Sequence, residues 1–263
     1  MNISAKISKS AKAVSSAKRG FKPEYAIVAG SGLSGLKNYF TVVKTLPYSK
    51  IPFFSKTTAE GHLGELNFCS YAGVDFLILN GRFHLYEGYS PQEVTYPVRV
   101  MNALGVNNLI ITAACGALNK KYSAEDIVIM KDQINFTGNG LDSDGSERRF
   151  IDAHALYDAS FRKKALAAAK KYKIKAREGV YFGVKGPAYE TPAESAEYRR
   201  LGGDMIGMSV VMEALAASQM KMKTLGLAYI SNRSSARFRH EDVLKAGKSD
   251  VENFSKIIKE CLK

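Results

Sequence analysis

The 263-residue sequence predicts a single α/β domain with a mixed, largely parallel central sheet flanked by helices. Short apolar runs alternate with helix-patterned segments from Tyr25 to the C-terminus, the order that builds strand–helix–strand units. Most of those runs are continuously apolar, as expected of strands buried on both faces of a parallel sheet. No Pro/Gly/Ser-rich linker interrupts the alternation, so residues 1–263 read as one domain, with residues 1–20 a basic helix packed on it.

The elements follow in order. Residues 1–20 repeat Ser-Ala-Lys at 4–6, 10–12 and 16–18 and space Ile3, Ile7, Ala11 and Val14 as one helical face. The segment is basic, Ser-rich and free of acids, like an organellar presequence, but no cleavage-like boundary follows and an amphipathic helix on the domain is the favoured reading. Strands are predicted at Tyr25–Ala29, Glu65–Tyr71, Val74–Leu79, Asn108–Thr112, Asp126–Met130, Gly179–Val184, Asp204–Met208 and Thr224–Ile230. Helices are predicted at Gly32–Phe40, Pro91–Leu104, Phe161–Tyr172, Pro192–Leu201, Val210–Met220 and Glu241–Leu262. Ser90-Pro91-Gln92-Glu93 and Thr191-Pro192-Ala193-Glu194 each place a hydroxyl at N-cap, Pro at N1 and Glu at N3. Gly202-Gly203 stops the second of these helices. Residues 136–152, polar and Gly-rich, read as a long loop.

Composition removes several function classes. No apolar run is long enough to span a membrane. Three scattered cysteines, Cys69, Cys115 and Cys261, have no zinc or redox spacing and point to a reducing, cytoplasmic setting without disulfides. The four histidines lie far apart, so no metal site is expected. The formal charge of +13 is concentrated in two stretches: six of the 38 basic residues precede Glu24 and eight fall between Arg162 and Arg177. Few aromatic residues interleave with them and no nucleic-acid signature accompanies them, which favours a solvated basic face over a nucleic-acid partner.

Candidate site residues cluster where strands end. Gly30-Ser31-Gly32-Leu33-Ser34-Gly35 has the form of a phosphate-binding turn, with backbone amides and a helix N-terminus facing an anion. No acidic residue occurs from Leu36 to Ala59, so a dinucleotide, which needs a ribose-binding acid about 20 residues on, is disfavoured. A tight turn without ligand is the competing reading. Asn80 to Tyr89 follows an apolar strand; if extended, it turns Arg82, His84 and Tyr86 to one face, a set suited to phosphate and sugar hydroxyls. Thr112 to Ala117 ends another strand in small residues that allow close approach to backbone amides or, equally, close packing. Glu190 beside Tyr189, and Asn232 after Thr224–Ile230, offer polar groups for the edge of a heterocycle, against the plainer reading of solvated loop residues.

Together these segments resemble the trimeric class of purine nucleoside phosphorylases, within the nucleoside phosphorylase superfamily. The likeness runs from about Tyr25 to the last helix. It is most specific at Gly30–Gly35, Gly81–Tyr89, Tyr189–Glu194, Met208-Ser209 and Ser231-Asn232. The resemblance implies that family's fold and a phosphate pocket from Ser31, His62, Arg82, His84, the Ala114 amide and Ser209. It implies ribose contacts from Tyr86, Met208 and His240, a purine stacked on Tyr189, and Glu190 and Asn232 at the base edge. Asn232, Glu190 and His84 are the implied catalytic residues. Phe150 matches the aromatic that a neighbouring subunit contributes, which implies a homotrimer. Inorganic phosphate is the co-substrate, with no metal and no organic cofactor. Two departures stand out: Ala113 occupies a position where the family usually has Asn, and Arg233-Ser234-Ser235 is more polar than usual. Asn232 together with His240 favours 6-oxopurine nucleosides over methylthioadenosine.

Overall fold

The computed structural model describes the chain except for residues 60, 142–149 and 234–239 and the side chains of 233 and 240–249. Nine strands form one sheet: β1 (Tyr25–Ala29), β2 (Thr41–Pro47), β3 (Glu65–Tyr71), β4 (Val74–Asn80), β5 (Asn108–Ala117), β6 (Ile127–Phe136), β7 (Ala176–Val184), β8 (Met205–Gly207) and β9 (Lys223–Arg233). Their order is β2-β3-β4-β1-β5-β8-β7-β6-β9, and β9 also pairs with β5. That last pairing closes β5, β8, β7, β6 and β9 into a ring. The sheet is mixed: β1 is parallel to β4 and β5, β9 to β5, and β7 to β6 and β8. The pairings β2–β3, β3–β4, β5–β8 and β6–β9 are antiparallel.

Helices cover both faces. Ala26 and Val28 of β1 point into a core shared with α1 (Ile3–Ala17), α2 (Pro91–Ala103) and α5 (Val211–Gln219). Tyr25, Ile27 and Ala29 point the other way, toward α3 (Ala159–Lys171) and α6 (His240–Cys261). The period-2 alternation of a strand therefore serves two apolar layers at once, which is why β1 carries no polar residue. α4 (Pro192–Arg200) sits at the far end, where Tyr198 stacks on Phe182 with ring centroids 4.5 Å apart.

The basic N-terminal segment packs on the domain through Ala11, Val14 and Ser10, whose hydroxyl meets the Tyr96 hydroxyl at 2.8 Å and donates to the Pro52 carbonyl. Its lysines stay outside; Lys6 and Lys9 lie over the Phe53 ring. The capped helix starts form as expected. Ser90 Oγ accepts from Glu93 N–H and Thr191 Oγ1 from Glu194 N–H, while each Glu carboxylate accepts the backbone N–H of its cap residue.

Several boundaries differ from expectation. The turn after β1 is a 3-10 helix over Ser34–Tyr39, not an α-helix from Gly32. β2 is an exposed edge strand that the sequence reading did not include, since Thr41-Val42-Val43-Lys44-Thr45 buries no face. β5 and β6 run five or six residues beyond their predicted ends because ring closure gives those residues ladder partners. Residues 82–89 are not uniformly extended: Leu85–Glu87 forms a 3-10 turn. The long loop starts one residue later than drawn, because β6 continues to Phe136, and runs on to the start of α3 at Ala159; its residues 142–149 lie outside the described residues.

Candidate active site

The ends of β1, β4, β5, β7, β8 and β9 converge on a cavity of about 350 Å³. At one end the turn after β1 lies against β5. A side chain at Gly30 would stand 2.6 Å from the Thr112 carbonyl oxygen, so only glycine allows the approach. Gly30 N–H donates to Thr112 Oγ1 at 2.9 Å, and that hydroxyl donates to the Val28 carbonyl at 2.8 Å. Gly81, at φ 125°, turns the chain from β4 into Arg82 and packs beneath His62.

Arg82 is 3% exposed. Its Nη1 donates to Glu213 Oε2 at 3.2 Å, and Nη2 donates to the carbonyls of Val28 and Thr112. Nε–H, buried, has no hydrogen-bond partner, a donor whose desolvation an acceptor from the cavity would offset. The Arg82 backbone N–H donates to His62 Nδ1 at 2.8 Å, so the proton of that ring sits on Nε2, 3.2 Å from Ser31 Oγ.

His84 lies beside Arg82 and stacks on Tyr86, with centroids 4.6 Å apart. Its Nδ1 is 2.6 Å from Glu87 Oε1. Burial lowers the imidazole pKa and outweighs the neighbouring carboxylate, so the ring is neutral near pH 7. Burial alone would raise the Glu87 pKa; hydrogen bonds from His84 and Thr58 outweigh that and hold it at about 2. The ionised acceptor therefore fixes the His84 proton on Nδ1 and leaves the Nε2 lone pair free of it.

Met208 and Ser209 follow β8. Val210 then adopts φ 68° and ψ −53°, and Val211 N–H donates to the Ser209 carbonyl at 2.7 Å. This is a γ-turn of the strained kind, at a β-branched residue. Two buried groups hold it. Ser209 N–H donates to Tyr181 Oη at 3.1 Å, and Val210 N–H donates to Glu213 Oε2 at 3.2 Å. Burial pushes the Tyr181 phenol up, so it stays neutral.

At the other end, Tyr189 and Glu190 occupy the loop between β7 and the Thr191 cap. Across from them, the β5–β9 register slips between Cys115 and Gly116: Cys115 pairs with Ile230 and Gly116 with Asn232. Ser231 is the extra residue of that bulge. Its hydroxyl lies 3.2 Å from the Cys115 carbonyl and 2.6 Å from Asn232 Oδ1. By accepting from Ser231, Oδ1 of Asn232 is fixed toward the bulge. Cys115 also lines the cavity, its thiol pushed up by burial and unreactive.

Ser31, Arg82, His84, Tyr86, Ala114, Tyr189, Glu190, Met208, Ser209 and Asn232 thus line one cavity. His62 stands behind that wall, against Ser31 and Arg82. Phe150 is fully exposed and does not line it. The His240 side chain lies outside the described residues, although His240 begins α6. Sequence reasoning missed Glu213, Glu87, Tyr181, Thr112 and Ser231. For Glu213 a signal existed: it is the one charged residue in the run Val210–Ala217, and a lone charge in a buried helix requires a partner.

The family model described as Phosphorylase superfamily matches residues 24–263. The chain belongs to this superfamily. The phosphorylase is 39% identical over 245 residues to "Purine nucleoside phosphorylase 1" of Bacillus subtilis, covering 90% of each chain. It is 38% identical over 259 residues to "Purine nucleoside phosphorylase" of Rattus norvegicus, covering 92% of this chain and 90% of that one. Its fold matches the crystal structure of Schistosoma mansoni purine nucleoside phosphorylase in complex with adenosine, with TM-score 0.91, 32% identity and coverage of 99% and 96%. Isoform 2 from the same organism, in complex with cytosine and ribose-1-phosphate, matches at TM-score 0.91 and 35% identity, with coverage of 98% and 95%.

Proposed function

We propose that this phosphorylase cleaves purine nucleosides and deoxynucleosides of the inosine and guanosine type with inorganic phosphate, giving the free base and (deoxy)ribose 1-phosphate. The observation that carries the reading is that one cavity holds, on one side, buried Arg82 with Ser31 and His84 and, on the other, Glu190 with Asn232. The first set suits an oxyanion and the second the edge of a heterocycle. The relatives' names agree with it.

In this reading Ser31, Arg82, Ser209 and the Ala114 amide hold phosphate oxygens, His84 accepts at its bare Nε2 from a P–OH of monobasic phosphate, and His62 braces Ser31. Tyr86, Met208 and His240 hold the ribose, and Tyr189 stacks on the base. The bond from C1′ to the purine N9 breaks as positive charge grows on the ribose, and a phosphate oxygen forms the new bond to C1′. The electron pair of the broken bond leaves on the purine. The Asn232 amide donates to N7 as negative charge develops, and Glu190 accepts the N1–H of a 6-oxopurine. Phosphate is both nucleophile and counter-charge, so no organic cofactor or metal takes part.

Phe150 closes the ribose site of a neighbouring subunit in a homotrimer, a role that suits its complete exposure. The three cysteines are unpaired and buried, which fits the cytoplasm. Among the described residues no helix is long and apolar enough to cross a membrane. The test is hypoxanthine release from inosine with and without phosphate. Release only with phosphate, and stoichiometric ribose 1-phosphate, is expected. Equal release in phosphate-free buffer overturns phosphorolysis in favour of hydrolysis.

A further inference from the structure

We propose that Thr58 is a positioning residue for the anion end of the cavity, acting through Glu87; the proposal rests on reading that end as the phosphate subsite. The Glu87 side chain is 3% exposed, and its two oxygens face different segments. Oε1 accepts from the His84 backbone N–H at 2.9 Å and pairs with His84 Nδ1 at 2.6 Å. Oε2 accepts from the Thr58 backbone N–H at 3.0 Å and from the Thr58 hydroxyl. One carboxylate therefore fastens the 57–64 loop to the segment that carries Arg82 and His84.

The described residues of that loop carry no helix or strand, and it meets the anion end in more than one place. Ala59 forms part of the cavity wall. His62 braces Ser31 through Nε2 and takes the Arg82 backbone N–H on Nδ1. The foot of the loop is tied down by Tyr89, whose hydroxyl donates to the Lys56 carbonyl at 2.6 Å. Between that tie and His62, Thr58 is the loop's link to Glu87. Two donors from one residue converge on one carboxylate oxygen, so the clasp is directional as well as charged. Losing it frees the loop that supports Ser31 and also withdraws a donor from the group that sets the His84 tautomer. Thr58 itself is exposed and does not line the cavity, so its effect on phosphate is indirect.

The experiment compares Thr58→Val with Thr58→Ser in the full-length enzyme, using inorganic phosphate and inosine as varied substrates. Valine keeps the branched shape and removes the hydroxyl. The expected result is a phosphate KM raised on the order of three- to tenfold in Thr58→Val with an inosine KM unchanged, and a phosphate KM restored in Thr58→Ser. Hydrogen exchange of residues 57–64 is measured on the same proteins and is expected to quicken in Thr58→Val alone. Unchanged exchange overturns the clasp and leaves the phosphate subsite standing. Faster exchange with an unchanged phosphate KM overturns the proposal from the other side, because the loop would then not serve a phosphate site. Equal rises in both KM values reduce Thr58 to general structural support and also refute it.

Discussion

Replacing Arg82 by methionine, alone and together with Glu213→Gln, separates what this ion pair does for the fold from what it does for the anion. The two side chains are each 3% exposed and 3.2 Å apart. Removing only Arg82 leaves Glu213 as an uncompensated buried carboxylate and strips the Val28 and Thr112 carbonyls of a donor. Breaking a buried pair from one side costs roughly 3–5 kcal/mol. For a chain of this size that is a fall in Tm on the order of 6–20 °C. Adding Glu213→Gln removes the stranded charge while its amide oxygen still accepts from Val210 N–H, so the double variant should regain much of the lost stability. It should not regain phosphate. A charged hydrogen bond is worth about 1.5–3 kcal/mol, so the phosphate requirement stays roughly 10- to 150-fold above wild type in both variants. The assay is thermal unfolding beside initial rates against phosphate at saturating inosine. A double variant that uses phosphate like the wild type would show that Arg82 serves the fold alone. A single variant that melts with the wild type would refute the electrostatic account of the pair.

Other perturbations give separate readouts. Asn232→Asp replaces the donor to N7 with an acceptor that suits the adenosine amino group, and the ratio of inosine to adenosine kcat/KM should fall by about 1–3 kcal/mol; an unmoved ratio removes Asn232 from base recognition. Tyr181→Phe deletes the acceptor for Ser209 N–H at the foot of the strained turn, and should raise the phosphate KM and lower stability by roughly 1–2 kcal/mol, with inosine KM spared; no change in melting would mean the bond contributes nothing. Asp250, 3% exposed with Oδ2 unpartnered, is pushed up to about 6 by burial and then by Glu125. A carboxyl whose folded pKa is raised stabilises below its unfolded value and loses that contribution as pH rises through about 6. Asp250→Asn should therefore melt progressively above the wild type as pH increases through that range, and a gap that does not vary with pH would contradict the assignment.

The sequence carried the framework of this site because strand ends are legible. Apolar runs stop at Ala29, Leu79 and Ile230, and residues two or three positions on, Ser31, Arg82 and Asn232, do reach the cavity. The two capped helix starts were equally readable, since a hydroxyl, a proline and a glutamate at fixed spacing have one local structure that satisfies them. What stayed hidden depends on distant partners. Glu213 is 131 residues from Arg82, and no periodicity in one segment encodes the other. The ring closure through β5 and β9 lengthens strands by pairing, not by propensity, so their ends were placed too early. The Ser231 bulge needs a register shift that only the assembled sheet imposes. His62 shows a third kind of gap: the family resemblance implied a phosphate contact, whereas its ring nitrogens face Ser31 and the Arg82 backbone.

The arrangement of charge at the anion end explains how a chain with formal charge +13 can still be selective there. The guanidinium of Arg82 is matched by Glu213, and neutral His84 is matched to ionised Glu87. Arg82 and Glu213 cancel and ionised Glu87 beside neutral His84 leaves one negative charge over, so a phosphate is not drawn in by a local positive excess. In the proposed phosphate subsite recognition falls to directed donors: the Ser31 hydroxyl beside His62, the Ser209 hydroxyl, whose backbone N–H is anchored on Tyr181, and the unpartnered Nε–H of Arg82. Such donors have little reorganisation left to do when charge moves from phosphate to C1′, which is the condition for stabilising a transition state over a bound substrate. The basic surface contributes at longer range, raising the local concentration of anions in a manner that salt screens. The two layers therefore respond differently to ionic strength: added salt slows capture at low substrate, while turnover at saturation, set by donors less than a Debye length from the reacting atoms, holds.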